Sequence, residues 1–324
     1  LSVAENSAAG TTVGTITALD ADDDALTFTI TAGNTIGDGS EVFALNETTG
    51  ALTVKTAAPL DYETEANRTF TLTVQVSDGV ANASAAVTVN VTNVNEAGKR
   101  LADKDIDLDA ANGKSSDLWS DGTTLWVSNN GSGESSSDKV FAYTLADGSR
   151  DAAKDIDSLN AAGNNDPRGL WSDGTTMWVA DPLDDKVYAY TLATGTRDAA
   201  KEFGLDHDNS SLRGLWSDGT TLWGTDNSDD KVYAYTLATG ARDAAKEFDL
   251  DDDNSSPLGL WSDETTLWVS DFVDSRVYAY TLATGARNAA KEFKLVSSPR
   301  AFWSDGSTFW STTSGTTINA FQLE

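Results

Sequence analysis

Ten tryptophans stand in five pairs, each pair seven residues apart: Trp119/Trp126, Trp171/Trp178, Trp216/Trp223, Trp261/Trp268 and Trp303/Trp310. The first members are spaced 52, 45, 45 and 42 residues apart, so the chain beyond about residue 98 is an internal repeat. The fullest copies read Gly-Leu-Trp-Ser-Asp-Gly-Thr-Thr-Leu-Trp, an acidic loop, then Lys-Val-Tyr-Ala-Tyr-Thr-Leu-Ala-Thr-Gly-Ala-Arg-Asp-Ala-Ala-Lys-Glu-Phe. One copy parses into four strands: Gly169–Ser172, Thr176–Ala180, Lys186–Leu192 and Ala200–Leu205. Asp173-Gly174 supplies a tight turn after the first, because glycine takes a positive φ without a Cβ clash, and Thr194-Gly195 turns the third. In the third strand Val187 and Ala189 face one way and Tyr188, Tyr190 and Leu192 the other. A sheet apolar on both faces must be covered on both sides.

Neighbouring blades of a closed β-propeller give that cover, whereas an open stack leaves its end units bare. Five copies of the first, second and third strands are present. Fourth strands follow four of them, at about 152–159, 200–205, 245–250 and 290–295. The last copy ends in its third strand, Thr317–Leu323, while Asp103–Asp109 reads as a fourth strand with nothing before it. The expectation is a five-bladed ring closed by pairing 103–109 with 317–323, which removes the exposed sheet edges. Pro167-Arg168-Gly169-Leu170 and Trp178-Val179-Ala180-Asp181 before Asp185-Lys186-Val187 resemble NHL-type propeller repeats. Five-bladed rings also occur in tachylectin-type lectins, which makes sugar binding an analogy.

Residues 1–98 follow a different rule. Leu26, Phe28 and Ile30, then Phe70, Leu72, Val74 and Val76, then Val87, Val89 and Val91 alternate with polar residues, the period-two mark of strands buried on one face. Gly, Asn and Asp clusters divide them every 8–12 residues, which suits a β-sandwich. The whole chain is therefore expected to be all-β, with a sandwich over 1–98 and a propeller over 99–324.

The acidic residues of the first half are grouped. Asp20, Asp22, Asp23 and Asp24 lie within five positions. At an effective dielectric of 20, two such charges ~4 Å apart repel by about 4 kcal/mol, and a hard cation reverses that sign; calcium takes roughly six to eight oxygen ligands. Glu5-Asn6, Leu19-Asp20-Ala21-Asp22, Leu60-Asp61-Tyr62-Glu63, Asp78 in Ser-Asp-Gly and Asn93-Val94-Asn95-Glu96 occur in the order found in a cadherin repeat, which residues 1–97 resemble. The resemblance implies bound Ca2+ at two ends: Glu5, Asp61, Glu63, Asn95 and Glu96 at one, and Asp20, Asp22 and Asp78 at the other, completed by a preceding repeat. It implies further cadherin-like repeats N-terminal to this stretch. Asn93 and Glu96 stand where Asp is common and Ala97 where Asn is common, and Asp103, Asp105 or Asp107 are substitute donors. The alternative is a solvated acidic surface.

Charge and composition narrow the partners. A net charge of −29 opposes a nucleic-acid or anionic-membrane partner, since both are bound through basic patches. No apolar run approaches the ~20 residues of a membrane-spanning helix, no segment reads as a signal peptide, and there is no cysteine. Direct membrane insertion is therefore not expected, and the location is read as extracellular, at a bacterial cell surface.

In a propeller the loops that enter the first strand and leave the second share one face. These loops vary between copies, as in Pro182-Leu183, Asn227-Ser228, Phe272-Val273 and the longer Asn129–Asp138. Arg168, Arg213, Arg300 and Phe272 are the candidate ligand residues there, with Asp117 and Leu258 replacing the arginine in the other two copies. The acidic loops Asp206–Asp208 and Asp251–Asp253 read as solvated rather than metal-binding. With His207 as the single histidine, and no phosphate loop or nucleophile elbow, no catalytic residue is assigned and the chain is expected not to be an enzyme. The reading is a calcium-dependent adhesion protein, a rigid stalk bearing a head for a glycan or cell-surface protein. The alternatives are a secreted polysaccharide hydrolase or lyase on a propeller, and a structural spacer.

Overall fold

The computed structural model describes every residue except 37–38, 57–59, 63, 95, 132–137, 158, 160–162, 314 and 324. The chain forms two compact units, Leu1–Asn95 and Glu96–Glu324. The division falls before residue 98 because the chain there is already committed to the second unit. Gly98 N donates to Gln322 O, Gln322 N to Lys99 O and Leu101 N to Ala320 O, each at 2.8 Å.

The first unit has two sheets. One orders Ser2–Ala4, Asn82–Thr92, Thr69–Ser77 and Thr27–Ala32; the other orders Thr12–Thr15, Ala51–Val54 and Phe43–Leu45. The alternation seen in the sequence sets their faces. Phe70, Leu72 and Val74 pair across from Val89, Val87 and Ala85, and Phe43, Leu52, Val54, Phe70, Leu72, Val74, Val89 and Val91 form the core. Phe43 meets Phe70 edge to face with centroids 5.3 Å apart, the geometry aromatic quadrupoles favour.

The second unit contains five sheets of the repeat. Their first strands are Ser115–Ser120, Leu170–Ser172, Leu212–Ser217, Pro257–Ser262 and Ala301–Ser304. Each touches the next, and the fifth touches the first, so the contacts close into a ring. Packing at the centre is tight enough to dictate composition: a Cβ on Gly214 would lie 2.6 Å from the Leu258 carbonyl oxygen. Every tryptophan pair is a direct cross-strand pair, such as Trp171 with Trp178, with ring centroids 5.2–5.5 Å apart. In the third strands the four central residues, Val187–Tyr190 and their counterparts, are all buried, which is the two-sided cover that their composition demands.

Ring closure follows the expected pairing. Thr317 and Ile318 pair antiparallel with Asp107 and Ile106, so a segment from the start of the unit completes the last sheet. Arg100 and Asp105 form an ion pair there, as Arg150 and Asp155 do in the first sheet.

Two features differ from the sequence expectation. The fourth strands are only Phe203–Gly204, Phe248–Asp249 and Phe293–Lys294, with an isolated Val140–Ile156 bridge in the first sheet. The Ala-Ala-Lys before them turns instead of extending, as 3-10 turns at Ala152–Lys154 and Ala289–Lys291, and its lysine reaches back to a second-strand threonine, Lys154 to Thr124 at 2.7 Å. The residue of the first copy that matches the arginines is also one position from the expected one. Asp117 N donates to Ser128 Oγ, as Gly214 N does to Thr225 Oγ1 and Gly259 N to Ser270 Oγ. Ser116, not Asp117, therefore stands opposite Arg168, Arg213, Leu258 and Arg300.

Candidate functional site

In the first unit, Glu5 is buried to 3 % exposure. Its carboxylate accepts from Tyr62 N at 2.8 Å and Val94 N at 2.5 Å, so the strand start, the Leu60–Tyr62 segment and the stretch after Thr92 converge on one anion. Asn6 takes a positive φ of 55° and donates its N–H to Leu60 O. Asp61 lies alongside in sequence and accepts from Thr64 Oγ1 at 2.9 Å. Glu63 and Asn95 lie outside the described residues. Glu96 belongs to the second unit, where Lys99 holds both its oxygens at 2.9 Å.

At the other end Asp20 and Asp78 line one cleft of about 310 Å³. Asp20 Oδ1 accepts from Asp22 N and Asp24 N; Asp78 Oδ1 accepts from Val80 N and Ala81 N, and those two backbone bonds hold the Asp78 carboxyl below its ordinary range. Asp22 is exposed on the connecting loop. Among the described residues no three acidic or histidine side chains come close enough to share a metal ion. The donor chemistry, oxygen only and anionic, is nonetheless that of a hard cation, and Glu5 is held in place by backbone rather than by a protein cation. Glu5 and Asp61, with the ligands outside the described residues, would hold calcium at one end, and Asp20 and Asp78 at the other. Two of the three expected substitutes are otherwise occupied: Asp105 by Arg100 and Ala320 N, Asp107 by Thr317.

In the second unit, two of the four expected ligand residues, Arg168 and Arg300, share one cavity of about 280 Å³ with Gly113, Lys114, Ser115, Ser116, Asn130 and Thr313. The Arg300 guanidinium lies over the Phe272 ring, 5.1 Å from its centroid. Arg213 sits on the next first strand, so close that a Cβ on Gly169 would be 2.7 Å from the Arg213 carbonyl oxygen. Burial, and then the Arg168 charge, lower the Arg213 pKa. Arg168 pairs with Asp166 at 2.7 Å; Arg213 donates to Ser211 Oγ at 3.2 Å. Residues 132–137 of the long loop at this face lie outside the described residues.

The acidic loops have a different role from the expected one. Asp206 and Asp208 both accept from Arg242 at 2.9 Å, and Asp251 and Asp253 accept from Arg287 at 2.6 and 2.8 Å. Each loop thus ties one sheet to the next. The sequence carried the signal, an arginine after every full third strand, but not the distance.

Sequence reading missed Asp117. It is buried at 2 % exposure, and its carboxylate accepts from Leu170 N at 2.7 Å and Leu118 N at 2.9 Å, with Leu215 N also contributing. One side chain therefore ties three successive first strands at the ring's centre. Burial raises its pKa well above the ordinary range.

Residues 1–92 match the cadherin domain family. Over 92 residues they are 39 % identical to Cadherin EGF LAG seven-pass G-type receptor 2 of mouse and of human, which is 28 % of this chain and 3 % of the receptor. The chain thus spans a small fraction of the curated relatives it matches. Among solved structures, virginiamycin B lyase from Staphylococcus aureus is similar at 13 % identity and TM-score 0.44, over 68 % of this chain and 98 % of that one. Glutaminyl cyclase from Myxococcus xanthus is similar at 12 % identity and TM-score 0.49, over 71 % and 98 %. Two enzymes among the similar structures correct the expectation that the chain is not an enzyme, because the propeller scaffold serves catalysts and binders alike. Among the described residues no helix is long and apolar enough to cross a membrane. Residues 1–92 are a cadherin domain, and an all-β ring of propeller type follows them.

Proposed function

We propose that the chain is a calcium-dependent extracellular binding protein, whose cadherin domain is a calcium-stiffened stalk and whose ring is a head for a glycan or a cell-surface protein. The observation that carries this reading is an asymmetry of the ring. The turns between first and second strands repeat nearly residue for residue, with Asp121, Asp173, Asp218, Asp263 and Asp305 each accepting from the backbone N–H groups two and three residues on. The opposite face varies, with Arg168 and Arg300 lining one cavity and Phe272 against Arg300. Repetition on one face with divergence on the other fits recognition carried by loops on a rigid scaffold. The donor set at Glu5 and Asp61 supports the calcium role. The test is capture of glycans and of cell-surface proteins by the full chain, in calcium and in EDTA. Capture lost in EDTA is the expected result; equal capture in both would remove calcium dependence, and no capture in either would remove the binding head.

A further inference from the structure

Arg213 and Arg300 stand apart from the other arginines of their unit. Nine arginines lie beyond residue 96, and seven pair with carboxylates: Arg100, Arg150, Arg168, Arg197, Arg242, Arg276 and Arg287. Among the described residues, Arg213 and Arg300 pair with none. In a chain of net charge −29, carboxylates are abundant, so two unpaired guanidinium groups at one mouth are not a consequence of scarcity. The Nε atoms of Arg168, Arg213 and Arg300 are also all buried and lack a hydrogen-bond partner. A buried donor left unmade costs about 1–3 kcal/mol, and more when charged. Three of them stand at one register position of three first strands, and guanidinium donors suit the oxygens of an anion.

We propose that the ring mouth binds a single oxyanion-bearing sugar residue, its carboxylate or sulfate held by Arg300 and Arg168, the two guanidinium groups that line the cavity, with the charge of Arg213 on the first strand next to Arg168 adding to the attraction. This rests on the binding-head reading and assigns its ligand class. The cavity of about 280 Å³ lies at the small end of ligand pockets, which fits one sugar unit rather than a folded surface. Its lining beyond the arginines and Lys114 is Gly113, Ser115, Ser116, Asn130 and Thr313, hydroxyl and amide groups suited to a hydroxyl-rich ligand and offering no apolar anchor for a peptide side chain. The overall negative charge repels a long polyanion, so the acidic sugar is sparse in its chain or terminal.

The experiment is calorimetric titration of the full chain at low ionic strength with glucuronate, sulfate, neutral glucose and a short poly-glutamate peptide. The variants are Arg213→Gln, Arg300→Gln and, as a control, Lys294→Gln, an exposed cation elsewhere on the unit. Saturable binding of glucuronate or sulfate is expected, with the Kd raised about tenfold or more by either arginine variant and unchanged by the control. Binding of sulfate without glucuronate assigns a sulfate ester, and the converse a uronic acid. A purely structural arginine would lower the melting temperature when replaced, so the arginine variants are also melted without anion, where no loss is expected. Absence of saturable anion binding, an equal loss in the control, or preference for the peptide would overturn the inference. Glucose binding that ignores anions would overturn it while leaving the binding head standing.

Discussion

Lys104 Nζ donates to Thr308 Oγ1 at 2.8 Å, joining residues 204 apart in the chain. The same lysine presents its carbonyl to Trp310 Nε1 at 3.3 Å. Within a single copy the equivalent bond is local, as between Lys201 and Thr176, 25 residues apart. The last sheet thus obtains from the start of the unit what the others obtain from their own sequence.

Closure by this segment makes Ile106 a sensitive position. It is 2 % exposed and packs with Leu125, Val127, Tyr143 and Trp310. Ile106→Ala is expected to cost about 2–5 kcal/mol, and Lys104→Ala only about 1 kcal/mol, the net worth of one hydrogen bond. Urea denaturation followed by tryptophan fluorescence gives both values. An Ile106→Ala chain as stable as the parent would mean that the ring stays shut without its borrowed strand.

Glu264 occupies the turn position held by glycine in the other four copies, with φ at 74°. Left-handed backbone costs a residue with a Cβ about 1–2 kcal/mol, and glycine returns part of that as chain entropy. Glu264→Gly is expected to stabilise the unit by up to about 1 kcal/mol, and Gly219→Ala, at φ 88°, to destabilise it by a similar amount. Melting curves of the two variants should shift in opposite directions.

What was legible in the sequence was what the period writes. The tryptophan spacing fixed the first hairpin of each sheet, because Trp171 and Trp178 are the residues that face each other. The orphan segment near 103–109 announced the closure, because a sheet with a missing member has only one place to find it. The fourth strands were misjudged because Asp-Ala-Ala-Lys has no periodicity to separate a turn from an extended run. Asp117 was placed one position early because its copy reads Ser-Ser-Asp-Leu where others read Arg-Gly-Leu; counted back from Trp119 it takes the place of Gly169, and its hydrogen bond to Ser128 agrees. The arginine cluster was visible as a list of positions; its missing partners are a three-dimensional fact.

Asp117 makes the ring sensitive to pH in a definite direction. Its folded pKa is raised above the ordinary 3.8 by burial, so the folded chain holds the proton more tightly than the unfolded one. Stability from this group is complete below the ordinary value and is lost as pH rises toward the raised one, with a slope of at most about 1.4 kcal/mol per pH unit. Asp117→Asn, which cannot titrate, is expected to flatten that part of the profile, which begins above the ordinary 3.8. Parallel profiles for parent and variant would show that the carboxylate stays ionised at the ring's centre.

Calcium should act on the unit that tryptophan cannot see. All ten tryptophans lie at or beyond residue 119, so their fluorescence follows the ring, whereas Glu5 and Asp61 belong to the cadherin domain. Calorimetry of the full chain reports both units. A cation that binds only the folded state adds RT ln(1 + [Ca]/Kd), about 2.7 kcal/mol at a hundredfold excess over Kd. Calcium is therefore expected to raise a transition that leaves the fluorescence midpoint in place. Glu5→Gln keeps an acceptor for Tyr62 N or Val94 N but removes the charge, and should abolish the calcium increment while costing about 1–3 kcal/mol for the backbone donor it leaves unmet. If Glu5→Gln responds to calcium as the parent does, the buried carboxylate is a structural brace for two backbone segments and the ion, if bound, is held elsewhere.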